Sequence, residues 1–304
     1  MSKGAALLEL LSELKSRDYH FTCVSPATHE RVLARTAVGE PTLRDIFGWN
    51  QPFHREQLDG VLFALLERAN CLDQEGNRLR SRVRVATLGE LLLLHSSFPT
   101  DSGDAIFFGP DSYRFARFLQ ANAALIEQAS SIVDMGAGSG IGGIFCNRLA
   151  RAARVTLVDI NPAALRLARI NAEAARVAVQ ACCAGSIPAG HDLIIANPPY
   201  MADERGRTYR DGGGLVGGER SLAWTREALD ALQPGGTMLL YTGAAVVNGS
   251  APLLDAIQEA CAGRGASCVA EEIDPDVFGE ELARPAYARV ERIAAVGLRI
   301  TTAA

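Results

Sequence analysis

The chain has 304 residues, with 30 lysines and arginines against 35 aspartates and glutamates, and a formal net charge of −5 at pH 7. That length is long for one hydrophobic core, so one large and one smaller domain are predicted. The negative charge argues against attraction of the whole molecule to nucleic acid, while a local basic patch stays compatible with it. All apolar runs are shorter than the roughly 18 residues that span a bilayer, so no membrane partner is expected.

The N-terminal segment MSKGAALLELLSELK places leucines at helical spacing between acidic residues. This pattern predicts an amphipathic helix, and the segment lacks the small-residue cleavage site of a signal peptide. The seven cysteines include no C-x-x-C pair, and their odd number argues against a disulfide framework. The five histidines have no metal-ligand spacing, so no metal site is predicted. A cytoplasmic location follows as the expectation.

Residues 1–104 are predicted to form a smaller, mainly helical domain for substrate recognition. Helices are expected over 43–47 and 54–69, and a Gly-Asn turn between period-two segments predicts a hairpin after them. Two helices followed by a two-stranded hairpin have the order of a winged-helix domain. The polar stretch SFPTDSGD marks the predicted boundary to a second domain over 105–304.

Four arginines alternate with other residues in the second half of this hairpin region. They are Arg78, Arg80, Arg82 and Arg84. In a single strand, alternate side chains share one face. Such a ladder predicts contacts to phosphates and a salt-dependent affinity for nucleic acid. A solvated strand face paired with nearby acids is the alternative.

Beyond residue 105, strand-like and helix-like segments alternate along the chain. This rhythm predicts an α/β fold with a doubly wound parallel sheet. In such a sheet, ligands bind beyond the carboxyl ends of the strands. The residues that directly follow each strand are therefore the candidates for a binding site.

A glycine-rich turn follows the first of these strands. Gly136, Gly138 and Gly140 come just after Asp134, and Asp159 ends the next strand. Glycines let the backbone approach a ligand at a helix N-terminus, and the Asp159 carboxylate can accept both ribose hydroxyl hydrogens. Gly138, Gly140 and Gly143 also satisfy the pattern G-x-G-x-x-G, so a nicotinamide dinucleotide fits too. Asp134 favours S-adenosylmethionine instead, because a carboxylate repels a pyrophosphate and tolerates a cationic sulfonium and ammonium.

A later strand ends in the stretch IIANPPY, which contains Asn197, Pro198 and Tyr200. Methylation of a planar nitrogen requires acceptors for its two N–H groups, so that its lone pair turns towards the methyl group. The Asn197 side-chain oxygen and the Pro198 carbonyl are candidates, and prolines hold that carbonyl in place because they fix φ. Tyr200 offers a flat face for stacking. The alternative is a rigid turn that merely terminates the strand.

The segments VDMGAGSGIGG, VTLVDINPAALRLARINA, DLIIANPPY and LDALQPGGTMLLYTG resemble class I S-adenosylmethionine-dependent methyltransferases. Within these, the chain is similar to the N-P-P-Y group, which contains release-factor glutamine N5-methyltransferases and the amino methyltransferases of DNA and RNA. The resemblance implies a seven-stranded Rossmann-like sheet and S-adenosyl-L-methionine as the cofactor. The cofactor-binding residues that it implies are Asp134, Gly136, Ala137, Gly138, Gly140, Asp159, Ile160, Ser186 and Asn197. The catalytic residues that it implies are Asn197, Pro198 and Tyr200.

These features together predict an enzyme that methylates a planar amide or amino nitrogen. The leading acceptor is the glutamine side chain in a loop of a translation factor or ribosomal protein, and an exocyclic amine of RNA or DNA is the alternative. A winged-helix binding protein with a vestigial cofactor fold is the alternative without activity. The glycine-rich segment 201–221 is either a mobile loop or a lid over the substrate.

Overall fold

The computed structural model describes residues 2–35, 39–100, 102–203, 206–207 and 209–304. The helices in these ranges are α1 (Lys3–Ser16), α2 (Pro26–Leu33), α3 (Leu43–Phe47), α4 (Gly60–Ala69), α5 (Pro110–Ala121), α6 (Ala123–Ile126), α7 (Ile141–Leu149), α8 (Pro162–Ala174), α9 (Glu219–Ala231) and α10 (Pro252–Ala262). The strands are β1 (Leu72–Glu75), β2 (Arg78–Ser81), β3 (Val83–Leu88), β4 (Leu91–Ser96), β5 (Ser131–Met135), β6 (Arg154–Asp159), β7 (Val179–Cys183), β8 (His191–Ala196), β9 (Leu232–Val246), β10 (Ser267–Asp274) and β11 (Arg292–Thr301). No helix within the described residues is long and apolar enough to cross a membrane.

The N-terminal helices follow the apolar pattern of the sequence. The amphipathic helix predicted at the start is confirmed as α1, which buries its leucine face and packs on α4. The helix over 43–47 is confirmed as α3. The helix predicted over 54–69 begins only at Gly60, because the Asp59 side chain accepts the first free backbone N–H groups, those of Val61 and Leu62. A short 3₁₀ turn, Arg55–Gln57, precedes it.

Two antiparallel hairpins follow, β1–β2 and β3–β4. The hairpin predicted around the Gly-Asn turn is confirmed as β1–β2. Strand β2 ends at Ser81, whose hydroxyl donates to the Val83 carbonyl at 2.6 Å and accepts from the Val83 N–H at 3.2 Å. The Asn50 side-chain amide also donates a hydrogen bond to the Ser81 carbonyl. Because these local bonds interrupt the ladder, the chain bends at Arg82 and continues in the other hairpin.

The predicted ladder of Arg78, Arg80, Arg82 and Arg84 on one strand face is therefore wrong. Arg80 pairs with Glu75 at 2.8 Å and Arg82 pairs with Asp73 at 2.6 Å, both across the first hairpin. Arg78 is exposed. Arg84 lies in β3 and is only 5% exposed, so it cannot contact the phosphates of a ligand at the surface.

The central sheet has seven strands in the order β10-β11-β9-β8-β5-β6-β7. Strands β5 to β9 are parallel, whereas β11 runs antiparallel to both of its neighbours. Alternate strand residues enter two cores: Ile132 and Ile195 pack with α5, α7 and α8, whereas Val133 and Ile194 pack with α9 and α10. The predicted doubly wound sheet is confirmed, but it is mixed rather than parallel throughout because of the antiparallel β11. Its strand order reverses between β5 and β8, which opens a crevice at their carboxyl ends.

The N-terminal elements share a hydrophobic core with the sheet domain. Helix α1 and strand β4 both pack on α8. The buried Asn171 of α8 accepts the Leu94 N–H at 2.8 Å and donates to the Leu94 carbonyl at 3.0 Å. The same amide donates to the Ser139 carbonyl of the glycine-rich turn at 2.9 Å. One side chain thus links the second hairpin to the turn after β5.

Candidate active site

A cavity of about 460 Å³ lies at the carboxyl ends of β5, β6 and β8. The glycine-rich turn after β5, the end of β6 and the motif after β8 line it together. Residues 105–115 and the start of α9 close its sides, and Pro26 of α2 contributes from the N-terminal region. Most of the site residues predicted from the sequence line this one space. They are Asp134, Gly136, Ala137, Gly138, Asp159, Ile160, Asn197, Pro198 and Tyr200.

The turn after β5 requires glycine at its first position. Gly136 has a φ of 69°, and the N–H groups of Gly136 and Ala137 both donate to the Val158 carbonyl of the neighbouring strand. A Cβ at Gly136 would lie 2.6 Å from the ring of Trp224 on α9. The turn is therefore held between β6 and an aromatic ring. Gly140, the last predicted glycine, is the N-cap of α7 and lies outside the cavity lining.

Asp159 organises the edge of the cavity. Its carboxylate accepts the Gly138 N–H and the Asn161 N–H, each at 2.8 Å, and burial raises its pKa from the ordinary value. Carboxylate oxygens have further lone pairs, so these bonds leave capacity to accept hydroxyl hydrogens. Beside it, the Ile160 side chain is 55% exposed and forms an apolar wall. Ser186, which was predicted to bind the cofactor, is exposed and does not line the cavity. Its neighbour Gly185 lines the cavity instead.

Asp134 is the most deeply buried acid of the site, at 2% exposure. It accepts the Gly143 N–H of α7 at 2.7 Å. Burial raises the pKa of this carboxyl to about 7, because the charged form loses its hydration. A cation in the cavity would favour the ionised form. Asp134 is therefore suited to a cationic ligand, as the sequence predicted.

The motif after β8 lies on the cavity floor. The Asn197 side chain and the Pro198 carbonyl make no hydrogen bond to any part of the chain that the structure describes. A Pro-Pro pair fixes the backbone that carries the carbonyl. Two oxygen acceptors are thus available on one rigid segment that faces the same space as Asp134 and Asp159.

Tyr200, which was predicted to offer its flat face for stacking, lines the cavity and is held by contacts of its own. It is only 7% exposed, and its hydroxyl donates to the Asp111 carboxylate at 2.5 Å. Asp111 also accepts from the Tyr241 hydroxyl at 2.9 Å and from Arg114 at 3.3 Å. Asp111 is not among the site residues predicted from the sequence. No local signal identifies it, because its two tyrosine partners lie far away along the chain.

The glycine-rich segment after the motif packs back onto it. Met201 and Asp211 form a parallel bridge, and the Gly212 N–H donates to the Met201 carbonyl at 2.8 Å. Tyr209 donates to the Thr100 carbonyl at 2.6 Å, and its ring lies nearly parallel to that of Phe107, with centroids 6.0 Å apart. The described part of this segment therefore forms a wall of the cavity.

A family model described as the methyltransferase small domain matches residues 115–260. A release factor glutamine methyltransferase from Cereibacter sphaeroides is 33% identical over 152 residues, which cover 44% of this chain and 54% of that protein. A ribosomal RNA large subunit methyltransferase G from Psychromonas ingrahamii is 35% identical over 80 residues, 23% of this chain and 21% of that protein. The chain spans about half the length of the first of these relatives.

The fold also has counterparts among solved structures. Trm5b from Pyrococcus abyssi superposes with a TM-score of 0.50 at 17% identity, covering 77% of this chain and 62% of that one. At this identity the likeness concerns the fold alone.

Proposed function

The chain belongs to the class I S-adenosylmethionine-dependent methyltransferases, with residues 115–260 as its methyltransferase small domain, and from that premise we propose that it methylates a planar amide or amino nitrogen. One observation carries the proposal. Two oxygen acceptors, on Asn197 and Pro198, have no protein partner within the described residues and share a cavity with the glycine-rich turn and Asp159. A turn that merely ended a strand would not require free acceptors at that position.

The cavity residues fit S-adenosyl-L-methionine in charge and shape. Asp159 would accept the ribose hydroxyl hydrogens, and Ile160 would cover one face of the adenine. The buried Asp134 would stabilise positive charge at the methionine end. Arg220, one turn before Trp224 on α9, lines the cavity, is exposed and has no ion-pair partner among the residues described. Its guanidinium suits the carboxylate of an amino-acid tail.

When bound, this cofactor supplies an electrophilic methyl group. The nitrogen of an amide or aromatic amine is a weak nucleophile, because its lone pair is delocalised. Asn197 and Pro198 would each accept one of its N–H hydrogens, which orients the NH2 group and turns the lone pair towards the methyl group. The N–CH3 bond would form as the S–CH3 bond of the cofactor breaks, and the methylated nitrogen would then lose one N–H proton to solvent. The gain comes from positioning and from preorganised dipoles rather than from a general base.

The acceptor that we propose is a glutamine side chain in a protein. The supporting observation is the similarity over 152 residues to a release factor glutamine methyltransferase. The alternative, a nucleic-acid base, is supported by a shorter similarity to a ribosomal RNA methyltransferase. The arginine ladder no longer favours that alternative, since two of its arginines are paired with acids and a third is buried.

Transfer of labelled methyl from the cofactor to separate protein and RNA fractions tests this choice. Asn197→Ala serves as the matched control for enzyme-dependent label. Label in the protein fraction, lost in the control, is expected. Label confined to RNA would reject the glutamine acceptor. If calorimetry detected no binding of S-adenosylmethionine, both enzyme functions would fail and the non-enzymatic alternative would stand.

A further inference from the structure

Tyr200 is held more tightly than a strand terminator requires. One face of its ring lies on Gly243 of β9, where a Cβ would come within 2.3 Å of the ring. Phe278 packs edge-on against the ring, with centroids 6.1 Å apart. The Tyr200 hydroxyl donates to the Asp111 carboxylate at 2.5 Å. Packing and a hydrogen bond therefore leave this ring a single orientation.

Asp111 is the shared anchor of several elements. It lies in the first turn of α5 and is 4% exposed. One carboxylate oxygen accepts from Tyr200, and the other accepts from Tyr241 of β9 and from Arg114. Arg114 in turn pairs with Asp274 at 2.9 Å. A buried carboxylate with three donors is fixed in position, because rotation would leave a buried donor without a partner.

We propose that Asp111 is a positioning residue for methyl transfer: it fixes Tyr200 and, through the rigid prolines before it, holds Asn197 and the Pro198 carbonyl in place. The inference rests on the proposed function. Asp111 itself does not touch the acceptor nitrogen in this account. A substitution of Asp111 should therefore change turnover only through Tyr200. Tyr241 donates to the other carboxylate oxygen of Asp111 and lies outside the motif.

A double-mutant cycle tests this dependence. In Asp111→Asn, the amide oxygen should take the side that faces Tyr241 and Arg114, since both donate there, which leaves its NH2 group against the Tyr200 hydroxyl. Asp111→Asn and Tyr200→Phe should each lower kcat roughly 10- to 100-fold, because small displacements of reacting groups are costly. The double variant should lose no more than either single one. Tyr241→Phe, the matched control, should change kcat by less than about threefold.

Cofactor affinity separates positioning from a direct contact. The Kd for S-adenosylmethionine should be unchanged in both single variants. Losses of kcat that multiply in the double variant would overturn the proposal. So would an equally large loss in Tyr241→Phe, or a weaker cofactor affinity in Asp111→Asn that persists when Tyr200 is also replaced.

A second readout does not depend on turnover. The side-chain amide resonance of Asn197 in ¹⁵N-labelled protein should move in Asp111→Asn and in Tyr200→Phe, and should stay in place in Tyr241→Phe. An unmoved resonance in the first two variants rejects the positioning role. If the wild-type protein methylates neither fraction, the proposed function fails, while this resonance still decides the role of Asp111. Tyr200→Phe removes only one donor, so it keeps the test available should Asp111→Asn not fold.

Discussion

Among the buried clusters of polar side chains in the residues that the structure describes, two are built differently. The Asp111 cluster, consisting of Asp111, Tyr200, Tyr241 and Arg114, lies beside the cavity and satisfies one carboxylate with three donors from different elements. The Arg84 cluster, consisting of Arg84, Cys23 and His95, lies around the second hairpin. There Arg84 donates to the Ser96 carbonyl at 2.9 Å, and no carboxylate of the described residues pairs with it.

The difference extends to the uncharged members. Cys23 contacts His95 at 3.3 Å, and His95 Nδ1 has no partner within the described part of the chain. Burial lowers the pKa of His95 and raises that of the Cys23 thiol to about 11, so both stay neutral. The Arg84 cluster is buried and stabilises the second hairpin, whereas the Asp111 cluster positions the motif after β8, which lines the cavity. Substitutions in the Arg84 cluster should therefore affect stability, whereas substitutions of Asp111 or Tyr200 should affect turnover.

The largest effect is expected on the cavity side, at Asn197. Asn197→Ala removes one of the two acceptors and should lower kcat by about 10²- to 10³-fold, as the loss of one preorganised hydrogen-bonding group does in other enzymes. The Kd for the cofactor should not change, which calorimetry can check. Asn197→Asp keeps an oxygen acceptor there and should retain more turnover than the alanine variant. Undiminished turnover in Asn197→Ala would show that the acceptors are misassigned.

A comparably large effect on stability is expected at Arg84. Arg84→Ala leaves the Ser96 carbonyl unpaired and removes packing against Phe98, so the free energy of unfolding should fall by about 2–4 kcal/mol. Arg82→Ala, two residues away but exposed, should change it by no more than about 0.5 kcal/mol. Chemical denaturation measures both. Turnover per folded molecule should be unchanged in each variant. A loss of turnover in Arg84→Ala would contradict the distinction between the two clusters.

A smaller, pH-dependent effect is expected at Asp134. In the free protein its pKa is about 7, so the carboxyl is mostly protonated below that pH. Binding of a cationic cofactor favours the ionised form and must then release the proton. Affinity should therefore rise up to roughly tenfold per unit as pH increases towards 7 and level off above it. Titration calorimetry with Asp134→Asn as the control checks this, since the variant should lack that dependence. A wild-type affinity that is flat across this range would contradict the assignment.

The Asp134 carboxyl should also make the free energy of unfolding depend on pH, with a slope opposite to that of the cofactor affinity. A raised folded-state pKa means that the native state binds a proton where the unfolded state has lost it. The free energy of unfolding should therefore decline as pH rises from about 4 to about 7, the window between the two pKa values. The decline should be weaker in Asp134→Asn. Denaturation series at several pH values, compared between the two proteins, measure the difference, and equal slopes would contradict it.

Local sequence was sufficient for residues that follow parallel strands. Asp159 and Asn197 were predicted to face one crevice and both line the cavity, because the carboxyl ends of such strands share one edge whatever the details of packing. Local sequence was insufficient to predict the role of Asp111, because its partners Tyr200 and Tyr241 lie 89 and 130 residues away. Arg84 was misplaced because Ser81 ends a strand through its own hydroxyl. A period-two pattern cannot reveal that interruption.

The chemical form of the transferred methyl group decides whether the protein methylates an amide nitrogen. The protein would be incubated with ¹³C-methyl-labelled cofactor and a protein fraction, and the labelled peptide would be analysed by mass spectrometry and NMR after alkaline treatment. We expect an alkali-stable methyl group on a side-chain amide nitrogen, with Asn197→Ala as the blank. An alkali-labile methyl ester, or a methyl group on carbon or sulfur, would contradict it.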